Sequence, residues 1–229
     1  MISSIVFLII VAIFIYLILK FIKKVVSMVI SFAVLFILIS SMFLFLVYTD
    51  YRDFKAGISE KESIILISDG PAYITGGYVN ITSTNMLNAQ KYIEDIGLIS
   101  TQSYKDILGE NYKLFIIDLS FYEQNLPEIT NYNNYSLKKN GILNTLRSQN
   151  PNKEFAALVN KPVESITRKP NELKLELALG ALDYLIKNQG KIITISGYKD
   201  KQIRVYKDTM LFKLIKIAPT AYINKYITN

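Results

Sequence analysis

Two carboxylates are the groups in this sequence best placed to do chemistry. Asp69 belongs to the turn signal Asp69-Gly70-Pro71, and Asp118 closes the apolar run Leu114-Phe115-Ile116-Ile117. If the strands that carry them lie side by side, both acids reach one sheet edge, where a carboxylate pair can act as general acid and base or hold Mg²⁺. A plainer reading competes. Asp in a Gly-Pro turn is turn chemistry, and Asp at a strand end caps the loop that follows. The chain has no His and no Cys. That excludes Ser-His-Asp and Cys-His nucleophile systems, zinc held by imidazole or thiolate, and disulfides. No spacing singles out a Ser-Lys dyad, and Gly190-Lys191 lacks both the earlier glycine and the following Ser or Thr of a phosphate loop. These residue types favour a non-enzymatic protein with no cofactor and no metal, with a carboxylate-dependent hydrolase as the alternative.

The elements that would position these acids follow a stretch of membrane sequence. Between Ile2 and Thr49 the only charges are Lys20, Lys23 and Lys24. The hydrocarbon core of a bilayer takes about 20 apolar residues as helix, so the region predicts a transmembrane helical hairpin with spans at about 2–22 and 25–49. The segment Lys20-Phe21-Ile22-Lys23-Lys24 has none of the Gly, Pro or Asn that tight turns recruit, so one long helix is the other reading. A cleavable signal peptide fits poorly, since no charge precedes the first apolar run. Lys20, Lys23 and Lys24 can reach headgroups with their stems, and Tyr48 and Tyr51 stand where an aromatic belt forms. Counting basic residues beside the spans puts the lysine turn in the cytoplasm and the rest of the chain outside, although Arg52, Lys55 and Lys61 nearly balance the count.

Residues 50–62 read as a juxtamembrane helix end and a linker, and 63–229 as a single α+β domain built with β-hairpins. Ser63–Ser68 and Ala72–Thr75 predict a hairpin, with Tyr78–Ile81 resuming extended structure after Gly76-Gly77. Helices are predicted at about 86–96, 102–108 and 136–148. Tyr112–Leu119 predicts a central strand, and Asn-rich Glu123–Tyr135 a surface excursion; Phe155–Val159 is ambiguous. Pro170-Asn171 opens a helix that Gly190 closes; Lys191–Ser196 and Gln202–Tyr206 predict a second hairpin, and Thr209–Ile217 a last helix.

Charge is unevenly placed. Residues 187–229 hold nine basic side chains against Asp200 and Asp208, which accounts for the whole formal charge of +7. The basic surface expected there comprises Lys199, Lys201, Arg204, Lys207, Lys213 and Lys216, and its expected partner is anionic lipid or an acidic protein; nucleic acid is disfavoured because no recognition motif accompanies the charge. Asn80-Ile81-Thr82 and Asn134-Tyr135-Ser136 are sequons, making Asn80 and Asn134 candidate glycosylation acceptors if the domain is outside. Ser27 and Ser31, with Ser40-Ser41, offer small residues for close helix approach between spans or copies. No acidic residue, Arg or Pro interrupts either apolar run to mark an ion path.

The segments Tyr48-Thr49-Asp50-Tyr51-Arg52-Asp53-Phe54, Leu108–Asp118 and Val205–Lys216, together with the two-span start, resemble a group of small uncharacterised two-span membrane proteins of archaea with reduced genomes. The resemblance implies an archaeal envelope protein with no assigned activity, and it carries over no catalytic residue. The function expected is an extracytoplasmic envelope scaffold or a subunit of a membrane complex. The further alternative is a cytoplasm-facing adaptor whose basic end binds anionic lipid.

Overall fold

The computed structural model describes residues 2–81, 87–99, 102–132, 135–190 and 192–219, and the chain divides into two units, Met1–Thr49 and Asp50–Asn229. Helix α1, Ile2–Glu60, supplies the first unit and the opening turns of the second. The structure shows one continuous helix through Lys20–Lys24 and does not show the expected helical hairpin. Nothing in that segment breaks a helix, and lysine is a good helix former. Among the described residues this is the one helix long and apolar enough to cross a membrane.

The second unit is built on a five-stranded sheet in the order β3-β2-β1-β4-β7. Strands β1 (Ser63–Asp69) and β2 (Ala72–Ile81) form the expected hairpin. Gly70, with φ at +60°, supplies the positive φ that a two-residue turn of this hand needs at its first central position. Strand β4 (Leu114–Asp118) lies parallel to β1, and β7 (Ile203–Tyr206) lies antiparallel to β4. Both central strands are apolar without interruption because both their faces are covered. Ile65, Ile67 and Ile117 enter the larger core beneath α4 (Leu119–Asn125), α5 (Lys139–Arg147), α6 (Pro151–Leu158) and α7 (Pro170–Gln189). Ile64, Leu66, Leu114 and Ile116 point to the opposite face, with Ile99 of α2 (Ile96–Ile99) and Ile107 and Leu108 of α3 (Tyr104–Leu108).

Four expectations are corrected. Leu87–Tyr92 is strand β3 and not the middle of a helix, because the outer edge of β2 has backbone groups to satisfy. The described part of Glu123–Tyr135, expected as a weakly structured surface excursion, holds the end of α4 and the paired strands β5 (Ile129–Tyr132) and β6 (Tyr135–Lys138), which bury Thr130 and Leu137. Ile192–Lys199 is helix α8, so the second hairpin does not form; β7 pairs with β4 instead. The helix end expected after Thr49 extends to Glu60, leaving little of the expected linker, and Phe54 and Gly57 pack against the domain core. The last helix, α9 (Met210–Ile217), falls where the sequence placed it.

Candidate membrane-interface site

Asp50, Phe54 and Gly57 recur at helical spacing, and this side of α1 is where the second unit takes hold of it. The Leu211 N–H, at the start of α9, donates to Asp50 Oδ2 at 3.3 Å. A carboxylate there also meets the positive end of the α9 dipole. Phe54 packs edge-on against Phe212, with ring centroids 5.2 Å apart and planes at 88°. Tyr112 lies across the helix and donates its hydroxyl to the Asp53 carbonyl at 2.9 Å. This close approach requires glycine: a Cβ at Gly57 would stand 2.4 Å from the Tyr112 ring. The sequence carried the signal in that spacing, but a polar stretch with one glycine reads as linker when its partners lie elsewhere in the chain.

Lys113 is buried behind this contact. Its Nζ donates to the Lys207 carbonyl at 2.7 Å and lies over the rings of Tyr112 and Phe212. Burial lowers its pKa, with the Lys207 charge adding to the effect and Asp50 and Asp208 opposing it. The six residues expected to form one basic surface divide. Lys207, Lys213 and Lys216 are exposed beside or along α9, and Lys199 donates to the Ala218 carbonyl at 2.5 Å. Lys216 pairs with Asp208 at 3.3 Å and lies over the Tyr198 ring. Lys201 takes a left-handed conformation (φ +63°) in the turn before β7, and Arg204 reaches the Tyr104 hydroxyl on the α3 side of the sheet.

Asp69 and Asp118 do reach the same sheet edge, and each is engaged there. Asp118 is the N-cap of α4: Oδ1 accepts from the Ser120 N–H at 3.0 Å, and Oδ2 from the Gly70 N–H at 3.2 Å and the Ser68 hydroxyl at 3.3 Å. Burial opposes its charge, but these donors outweigh it and hold the pKa below the ordinary carboxylate value. Asp69 accepts from Arg147 Nε at 2.9 Å, and the same guanidinium binds Glu123. A cation already sits between those two acids, and among the described residues no cluster of three or more potential ligands could hold a metal.

The remaining expected positions fall outside this interface. Asn80 lies on β2 with its amide oxygen buried and without a hydrogen-bond donor among the described residues. Asn134 is outside the described residues. Lys20, Lys23, Lys24, Tyr48 and Tyr51 are exposed on α1, and the Ser31 hydroxyl donates to the Ser27 carbonyl at 2.9 Å. No family model, curated protein or solved structure matches the chain.

Proposed function

We propose that this protein is a membrane-anchored, non-enzymatic component of a cell envelope or of a membrane complex, with its α+β domain outside the cytoplasm. The observation that supports this most is the hold that the domain has on Asp50, Asp53, Phe54 and Gly57, directly after the apolar run. An enzyme on a tether needs no such contact, whereas a scaffold that must present one surface at a set height does. The engaged state of Asp69 and Asp118 also favours a structural role over hydrolysis.

The two-span arrangement belongs to the same proposal. A straight helix through Ile2–Glu60 is about 88 Å long, against a hydrocarbon core of about 30 Å. One run would then stay in water, at roughly 1.5–3 kcal/mol for each large apolar side chain. A turn at Lys20–Lys24 gives up about four backbone hydrogen bonds worth roughly 1 kcal/mol each. Bilayer burial is the larger quantity, so the helix turns at the lysines once both runs have lipid to enter.

The absence of Cys makes the test clean. Single cysteines at Ser3, Lys23 and Lys153 are labelled in sealed cells with an impermeant maleimide. The proposal expects labelling at Ser3 and Lys153 but not at Lys23 until the membrane is opened. Labelling at only one of Ser3 and Lys153 defeats the two-span topology, and protection at Lys153 moves the domain to the cytoplasm.

A further inference from the structure

We infer that α9 lies on the bilayer surface and, with Lys207, Lys213 and Lys216, binds the phosphates of anionic lipid headgroups. This rests on the reading of residues 25–49 as a span and adds to it a specific lipid contact. Height is the first argument. Asp50 is the first charged residue after the apolar run, and it accepts a hydrogen bond from the second residue of α9. The start of α9 is therefore tied by a hydrogen bond to the residue that directly follows the apolar run.

The side chains of α9 supply the second argument. Phe212 is buried against Phe54 and Tyr198, which leaves Met210, Lys213, Lys216 and Ile217 exposed. Met210, Lys213 and Ile217 share one helical face. Ile217 is 81% exposed, a cost in water that membrane contact removes. A short helix that shows apolar residues between lysines suits the boundary between headgroups and acyl chains, where lysine stems lie along the surface and ammonium groups meet phosphate.

The third argument is charge. Lys207, Lys213 and Lys216 are exposed just before and along α9, and the acids beside that helix are already engaged: Asp50 by the Leu211 N–H, Asp208 by Tyr198 and Lys216. Lys207 is also fixed in place, since its carbonyl holds the buried Lys113 ammonium. A lysine close to an anionic surface gains about fivefold in binding. Three of them make the contact sensitive to lipid charge while leaving membrane anchorage to the apolar run.

The test uses the full chain in vesicles, with Ile217→Cys carrying an environment-sensitive fluorophore and Lys153→Cys as a control. Vesicles are either phosphatidylcholine alone or a mixture with phosphatidylglycerol, and flotation in a density gradient is recorded for each. The expected result is blue-shifted emission at position 217, quenched by a lipid-borne quencher, in the anionic vesicles and not in the neutral ones. Replacing Lys207, Lys213 and Lys216 by Gln should lower the ratio of bilayer-bound to water-exposed label about fivefold per lysine, with flotation unchanged. Emission at 217 that matches the Lys153→Cys control in both vesicles overturns the bilayer contact. Equal blue shifts in neutral and anionic vesicles overturn the recognition of headgroup charge. Loss of flotation by the unsubstituted chain refutes the anchor itself, which separates that failure from the other two.

Discussion

Asp118→Ala discriminates between a cap and a catalytic acid. The carboxylate accepts from Ser120, Gly70 and Ser68, so its removal uncaps α4 and frees the β1–β2 turn from the end of β4. Loss of an N-cap costs about 1 kcal/mol. Each of the other two bonds is worth roughly 1 kcal/mol at this partly solvated edge. A total of about 3 kcal/mol lowers the melting temperature of a domain this size by about 6–12 °C. The chain has no Trp, and near-ultraviolet circular dichroism of its tyrosines follows the domain in detergent through buried Tyr122 and Tyr198, over a constant background from the exposed Tyr16, Tyr48 and Tyr51 of α1. Asp118→Asn keeps one acceptor oxygen and should lose about half as much. Because the folded pKa lies below that of the unfolded chain, this stabilisation is complete above the unfolded value and disappears as pH falls through the folded one. The wild type should therefore weaken in acid more steeply than the Asn variant. An alanine variant that melts within about 2 °C of wild type refutes the capping argument and returns Asp118 to the candidate catalytic groups.

Gly57→Ala should destabilise the domain by about 1–3 kcal/mol, since the new methyl meets Tyr112 and displaces its hydroxyl from Asp53. A double-mutant cycle with Tyr112→Ala should show strong non-additivity in chemical denaturation, and additive costs would place the effect elsewhere. Tyr122→Phe should raise stability by about 1 kcal/mol, because the hydroxyl is fully buried and has no partner among the described residues. Lys174, buried in α7, has its pKa lowered by desolvation. Wild-type stability should accordingly rise as pH climbs from that lowered value through the unfolded pKa near 10.5, a rise that denaturation curves of Lys174→Met should lack.

The parts of the fold legible in the sequence are those whose cues are local. The Gly70-Pro71 turn, the doubly buried run of β4 and the Pro-to-Gly limits of α7 each carry their own signal. The misread segments are those decided by distant partners. Residues 192–196 alternate like a strand, yet the place beside β4 is taken by β7 and the segment packs as helix against α7 and β7. Leu87–Tyr92 has apolar spacing compatible with a helix, but β2 requires a partner on its outer edge. Of the contact between the last turns of α1 and the domain, the sequence shows only the spacing of Asp50, Phe54 and Gly57. The grip on Phe54 and Gly57 is not legible there, because it is made by Tyr112 and Phe212.

The clasp between Asp50 and Leu211 also sets a clock on biosynthesis. Its two halves are 161 residues apart, so at ribosomal rates the second arrives on the order of 10–30 s after the first. During that interval Phe54 has no ring to pack on, and the side of the core later closed by Tyr198 and Phe212 stands open. A chain released before Met210 leaves an apolar seam beside the last turns of α1, the kind of local opening that proteases sample first. A chain that reaches α9 covers it. Synthesis of α9 is thereby reported at the first residues of the domain by one carboxylate and two aromatic rings.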